Sequence, residues 1–323
     1  MILVPFPEMQ PLAEDLAPAI GAELRALDWH RFPDGESLIS LPGNLDGADV
    51  ALLATLRDPD RLALPLRFAA ATSREMGARR VGLIAPYLGY MRQDRRFDAG
   101  QAVSAPLFAQ FLGESFDWLV TVDPHLHRIA RLRDVFPMPA VRAVSAPLLA
   151  EWIETNLPDA VLLGPDSESQ QWVAEVARLA GRPHEVLRKV RSGDRRVDVS
   201  VPESAAHQSG TPVILDDIAS SGSTMARAVE RLLAAGTTAP VCLVIHAVFA
   251  EGAQDVIMSA GAARIVTTDT IPHPSNAIGT AAMLASAVRS VLSGLDLPSR
   301  ASSLKSESRG LNEAANAAFG AGL

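Results

Sequence analysis

The chain is poor in cysteine, in positive charge and in long apolar runs, and each shortage excludes something. Cys242 is the only cysteine in 323 residues and lies inside the apolar segment PVCLVIHAVF. No intrachain disulfide and no thiolate metal cluster can form, which fits a reducing compartment. Acidic residues outnumber basic ones, 37 to 29, for a formal net charge of -8. A polyanion is a poor partner for that field, so no nucleic-acid role is expected. No uninterrupted apolar stretch is long enough to span a bilayer, and the N-terminal MILVPFPEMQPLAEDLA has neither a basic n-region nor an apolar core of useful length. A cytoplasmic protein with no membrane role is expected.

What is present is core-forming material. Hydrophobic residues make up 48% and charged residues 20%, too apolar for a disordered chain, and the length favours two domains. Short β-branched runs (DVALLAT, RVGLIAPYL, WLVTVD, AVLLGPD, PVILDDI, PVCLVIHAV, RIVTTDTI) alternate with helical-period segments such as RLALPLRFAAATSREMG, SAPLFAQFLGESF and TMARAVERLLAAG. That alternation predicts an α/β fold with mostly parallel sheets flanked by helices. Gly236 is placed to close the last of these helices. The proline-containing segment VFPMPAVRAVSAP, residues 135–147, separates two strand–helix series of similar size. It puts one domain at 1–145 and a second at 146–296, with the Ser/Ala/Gly-rich remainder, 297–323, expected to be a mobile tail. Both series end a central strand in an acidic residue, VTVDPH in the first and VILDDI in the second, which hints at two related domains.

In open α/β sheets ligands bind beyond the carboxyl ends of the strands, so polar clusters just after strands carry most weight. The segment VILDDIASSGST joins two carboxylates, Asp216 and Asp217, to a loop of small residues before a helix beginning near Thr224. Free N–H groups at a helix N-terminus, with Ser220, Ser221, Gly222, Ser223 and Thr224 around them, form an anion cradle. The aspartates are too close to that anion to bind it themselves; sugar hydroxyls or a metal ion are their expected partners. An N-capped turn with no ligand is the plainer alternative.

Four further clusters follow strands. PYLGYMRQDRRF supplies Arg92, Gln93, Arg95 and Arg96 beside Tyr87 and Tyr90, guanidinium groups for phosphate and rings for a base. TVDPHLH offers Asp123, His125 and His127, and LLGPDSES offers Asp166 and Glu168, donors suited to a divalent ion near phosphates. In VLRKVRSGDRRV, Lys189 and Arg191 fall on one side of a strand beside a Ser-Gly-Asp turn, where they can close over a polyphosphate or decorate a solvated hairpin.

In this order, from about residue 1 to about residue 295, the motifs resemble the ribose-phosphate pyrophosphokinase family. The resemblance implies two tandem phosphoribosyltransferase-like domains, a requirement for Mg2+, and transfer of the diphosphoryl group of ATP to the anomeric hydroxyl of ribose 5-phosphate, releasing AMP. It implicates Phe32, Asp34 and Glu36 of RFPDGE in binding adenine from a neighbouring subunit, hence a homo-oligomer of at least two chains. It further implies ATP binding by Arg92 and Gln93, metal association of His125 and Asp166 with Asp123 close by, and catalysis by Lys189 and Arg191. Asp216 and Asp217 are implied at the ribose hydroxyls and Ser220 to Thr224 at the 5-phosphate, while TTDTIP echoes a further family stretch. The chain departs from the family's commoner residues at Ser220, often acidic there, at Ser223, often glycine, and at Leu88 and Met91. No regulatory-site segment matches. A phosphoribosyltransferase consuming phosphoribosyl diphosphate, or a non-catalytic regulatory homologue, remain the alternative readings.

Overall fold

The computed structural model describes residues 1–96, 98–126, 131–166, 169–187, 189–192, 196–199 and 210–296. The first half runs β1 (Ile2–Pro5), α1 (Gln10–Ile20), β2 (Glu23–Leu24), the hairpin β3 (Asp28–Arg31) and β4 (Ser37–Ser40), β5 (Asp49–Leu53), α2 (Pro59–Glu75), β6 (Arg80–Ala85), α3 (Ser104–Gly113), β7 (Trp118–Val122) and β8 (Ala140–Ala143). After α4 (Ala146–Asn156) the second half repeats the series. It runs β9 (Ala160–Gly164), α5 (Gln170–Ala180), β10 (His184–Val186), the hairpin β11 (Lys189–Ser192) and β12 (Arg196–Val199), β13 (Thr211–Ile218), α6 (Ser223–Ala234), β14 (Val241–His246), α7 (Ala253–Ser259), β15 (Arg264–Thr268), β16 (Asn276–Ile278) and α8 (Ala281–Asp296).

Each half builds a six-stranded parallel sheet, ordered β2-β1-β5-β6-β7-β8 and β10-β9-β13-β14-β15-β16. The central strands are continuous apolar runs because helices cover both faces. On one face of the first sheet, Val50, Leu52 and Leu83 pack under Leu62 and Leu66 of α2 and Phe108 of α3. In the second sheet Ile214, Cys242 and Val244 pack under Val229 of α6 and Ile257 of α7. The opposite faces share one uninterrupted core holding Leu53, Trp118, Leu215 and Leu243 together with α1, α4, α5 and α8. Trp118 is fully buried over its strand partner Gly82, where a Cβ would lie 1.8 Å from the indole, so only glycine fits.

The segment 135–147 contains the edge strand of the first sheet, β8, formed by Ala140–Ala143. One expectation changes. The acidic strand ends pair differently. By sheet position β7 corresponds to β15, both fifth in order, so the counterpart of VTVDPH is VTTDTI; β13, third in order, corresponds to β5. The details agree: the Asp123 amide donates to Ala143, and the Asp269 amide to Ile278.

The helices that follow the two sheets change sides. α4, after the last strand of the first sheet, packs on α5 and β16, whereas α8, after the last strand of the second, packs on α1, β7 and β8. Both hairpins occupy one topological slot, between the second and third strands of their halves, and β12 lies beside α6.

Candidate active site

The site lies at the carboxyl ends of β9 and β13 and is closed by residues of the other half. A cavity of about 230 Å3 is lined by Asp166, Asp216, Asp217 and the segment Ile218 to Gly222 from the second half, and by Arg92 and His125 from the first. One wall is an anion cradle. Gly222 takes φ 73°, and a Cβ there would sit 2.6 Å from the Ala253 carbonyl oxygen, so glycine alone permits the turn. Because Gly222 carries the left-handed conformation, Ser223 is released to begin α6 as an ordinary helical residue. Its hydroxyl lies 3.0 Å from that of Ser221 and is not part of the cavity wall. The first-turn N–H groups of a twelve-residue helix thus point toward the loop with the positive end of its dipole.

The other wall is acidic. Asp217 Oδ2 is 2.6 Å from His125 Nδ1; a carboxylate only accepts, so Nδ1 carries the proton. The Asp217 amide donates to Asp216 Oδ1 at 3.0 Å. Burial, reinforced by the charges of Asp217 and Asp166, pushes Asp216 up to about 8. Burial presses Asp217 the same way, but the hydrogen bond and charge of His125 prevail and hold it below the usual carboxylate range. The pair therefore holds a proton at neutral pH, the mark of a site with more negative charge than its own cations balance.

The expected residues do not all converge. Arg92, His125, Asp166, Asp216, Asp217, Ser220, Ser221, Gly222 and Thr224 meet at the cavity. Asp123 does not join them: Ser145 donates to its Oδ2 from the amide at 2.8 Å and the hydroxyl at 2.5 Å, and Arg142 holds Oδ1 at 2.6 Å. Both oxygens thus tie β7 to the start of α4, while Asp123 stays close to the site, lining an adjoining cavity together with His125 and Asp217. Asp269 does the same before α8, accepting from the Thr280 amide at 2.9 Å and hydroxyl at 2.6 Å. Gln93 turns its amide to the Ala102 carbonyl, 3.5 Å away. Tyr90 bonds Asp60 and packs on Phe108, and Tyr87 packs on His246, so both rings are engaged within the protein.

Phe32, Asp34 and Glu36 stand on the exposed β3–β4 hairpin, with Phe32 42% exposed and edge-on to His30. They contribute nothing to this cavity within one chain. Lys189 and Arg191 lie on β11, whose backbone pairs with β12; their side chains, like His127, Glu168, the turn at 193–195 and the segment 297–323, lie outside the described residues. Among the described residues no three His, Cys, Asp or Glu side chains form a metal cage. A hard divalent ion nevertheless fits the donor set, since carboxylates under mutual repulsion gain from a cation that keeps most of its water. Among the wall residues not anticipated are two that follow β9: Ser169, which donates to the Asp166 carbonyl at 2.7 Å, and Trp172 on the first turn of α5. The signal for both was position alone, one turn beyond the GPD strand end.

Comparison with known proteins agrees with this architecture. Residues 1–115 match the family model for the N-terminal domain of ribose phosphate pyrophosphokinase, and residues 134–282 match that for a phosphoribosyl transferase domain. The ribose-phosphate pyrophosphokinase of Methanopyrus kandleri is 32% identical over 295 residues, covering 90% of this chain and 99% of the relative. That of Halobacterium salinarum is 32% identical over 282 residues, covering 86% and 97%. A crystal structure of phosphoribosylpyrophosphate synthetase from Mycobacterium smegmatis superimposes with a TM-score of 0.78 at 24% identity, over 91% of this chain and 99% of that one, and shows the same fold. With both of its tandem domains matched, this chain belongs to the ribose-phosphate pyrophosphokinase family.

Proposed function

We propose that the chain transfers the diphosphoryl group of ATP to the anomeric hydroxyl of ribose 5-phosphate, giving phosphoribosyl diphosphate and AMP. One observation carries this: an anion cradle and an acidic pair share a single cavity to which the other half of the chain contributes Arg92 and His125. The 5-phosphate rests on the N-terminus of α6, and Asp216 and Asp217 receive the ribose hydroxyls. Asp216, protonated at neutral pH, can both donate and accept in that contact.

The anomeric oxygen attacks the β-phosphorus in line. The new O–P bond forms as the bond from the β-phosphorus to the α,β-bridging oxygen breaks, AMP leaves, and the hydroxyl proton passes to solvent. Transfers of this kind are driven by alignment and charge stabilisation more than by a dedicated base. Arg92 meets the triphosphate, and Lys189 and Arg191 on the β11–β12 hairpin clamp the charge that develops. Asp166 and His125 are the residues that would hold Mg2+, which when bound neutralises the transferred phosphates.

The division into units 1–145 and 146–296 is proposed as the functional one, the first serving ATP and the second ribose 5-phosphate. Exposure of Phe32, Asp34 and Glu36 supports a homo-oligomer in which this hairpin reaches a neighbour's nucleotide. No described helix is long and apolar enough to cross a membrane, and the single buried cysteine supports a cytoplasmic location.

The deciding assay is AMP release from ATP and ribose 5-phosphate with magnesium and no nucleobase. Release dependent on both substrates is expected. A phosphoribosyltransferase would stay silent until given phosphoribosyl diphosphate and a base, and a regulatory homologue would stay silent without a catalytic partner.

A further inference from the structure

His246 ends β14 inside the apolar run LVIHAVF and is 2% exposed, with no place in the chemistry above. Burial lowers its affinity for a proton, so the ring is neutral and must pair one donor and one acceptor. Nε2 lies 3.5 Å from the carbonyl oxygen of Asp123 and also faces the backbone of Val122 just before it; carbonyls only accept, so Nε2 carries the proton. Nδ1 then accepts from the Thr270 hydroxyl at 2.9 Å. The two partners belong to different halves: Thr270 follows β15 of the second sheet, and Asp123 follows β7 of the first. Tyr87, also of the first half, packs edge-on against the same ring at 5.0 Å.

The residue that His246 grips is unusual. Asp123 has φ 31°, one of only two left-handed non-glycine residues among those described. Its side chain is anchored within its own half by Ser145 and Arg142. Its carbonyl faces across the junction to His246 of the second half. Two residues further on, His125 meets Asp217 at 2.6 Å, and Asp217 adjoins Ile218, the ladder partner of His246. Both ends of the His125–Asp217 contact are therefore referred to one buried ring.

We propose that His246 is a positioning residue: by holding the Asp123 carbonyl from the opposite half, it fixes the left-handed turn that presents His125 to Asp217. This rests on the proposed function for its effect on turnover, though not for the geometry it asserts. Displacing a positioned group by about 1 Å can lower a rate about 10²-fold without touching the reacting atoms.

Three variants divide the possibilities. His246→Gln keeps an N–H donor near the place of Nε2, His246→Asn keeps the Thr270 contact but cannot reach Asp123, and His246→Ala keeps neither. AMP formation should fall about 10²-fold in kcat for His246→Asn and His246→Ala with KM for ribose 5-phosphate changed less than about threefold, and His246→Gln should recover most of the loss. In a His125→Ala background, His246→Asn should cost less than about threefold more, because the two residues act as a unit. Independent losses that multiply would overturn the proposal.

A second readout needs no turnover. The His125 Nδ1 proton bonded to Asp217, identified by its disappearance in His125→Ala, should give a downfield NMR resonance that is lost in His246→Asn and restored in His246→Gln. Its persistence in His246→Asn would refute the positioning role. If His125→Ala itself left turnover unchanged, the proposed chemistry would fail, and the resonance would still decide the role of His246.

Discussion

His125 and Asp217 approach to 2.6 Å although 92 positions separate them, one from the loop after β7 and the other from β13. Neither half holds both members, so this contact makes a single site out of two repeated sheets. It also decides which aspartate of the adjacent pair keeps its charge, Asp217, and which gives it up, Asp216.

Breaking this contact should impair chemistry more than folding. For His125→Ala and for Asp217→Asn, kcat for AMP release should fall about 10²-fold or more, the size expected when one positioned charge or donor is removed. Circular dichroism should show an unchanged fold. Turnover near the wild-type level in either variant would remove the pair from the mechanism.

Lys189→Ala should likewise lower kcat by about 10²-fold or more while leaving the affinity for ribose 5-phosphate nearly unchanged. Isothermal titration with the sugar phosphate measures the second quantity. A loss confined to binding would reassign Lys189 to the sugar phosphate.

Asp216 gives a pH signature. Its folded-state value, about 8, stands above the ordinary carboxylate value near 4, so the unfolded chain surrenders this proton first. Its contribution to stability is complete below about pH 4 and is lost as pH rises through about 8. Asp216→Asn, which has no proton to lose, should match wild type near pH 4 and exceed it in Tm by at least about 2 °C at pH 8, in chelator and without substrate. Equal Tm values at pH 8 would contradict the raised value.

Gly222→Ala should injure both fold and ligand. A left-handed alanine costs about 1–2 kcal/mol, and its Cβ, 2.6 Å from the Ala253 carbonyl, must also push the loop away. KM for ribose 5-phosphate should rise more than kcat falls, as steady-state kinetics would record. Ser223→Gly, by contrast, should change KM little, since Ser223 is helical and outside the cavity wall.

Leu284 on α8 is fully buried and belongs to the core shared with the first sheet. Leu284→Ala should cost about 2–5 kcal/mol, and the loss should be seen in the first half. Hydrogen exchange should report faster opening of β7 and β8, whereas the neighbours of α8 in sequence, β15 and β16, should change less. The reverse order would mean that α8 stabilises its own half.

What could be read from the sequence was local. The strand, loop and helix around Asp216 to Thr224 were legible because an apolar run, two carboxylates, a glycine and an amphipathic period follow one another without interruption. Gly236 takes φ 86° just beyond α6, as its place after the amphipathic segment implied. Reading failed where the meaning of a residue depends on distant partners. An acidic residue ending a strand looks the same whether its oxygens are taken up by a helix start, as those of Asp123 are by Ser145, or by a histidine of the other half, as that of Asp217 is. The 3.6-residue period of α4 and α8 announces a buried face but not which sheet lies beneath it. His246 looked like one more member of an apolar strand, although a titratable ring amid Leu, Val and Ile is itself a sign of a specific polar partner.

The common slot of the two hairpins has a consequence for how such a molecule can change. Among the described residues β3–β4 and β11–β12 each pair only with themselves, so neither carries a rung of the six-stranded sheets. Either insert can be lengthened, recoded or exchanged while the twelve ladder strands keep their register. The architecture thus separates a twelve-strand chassis from two attachments, one at the same address in each half, where a change of sequence need not disturb the ladders of the rest.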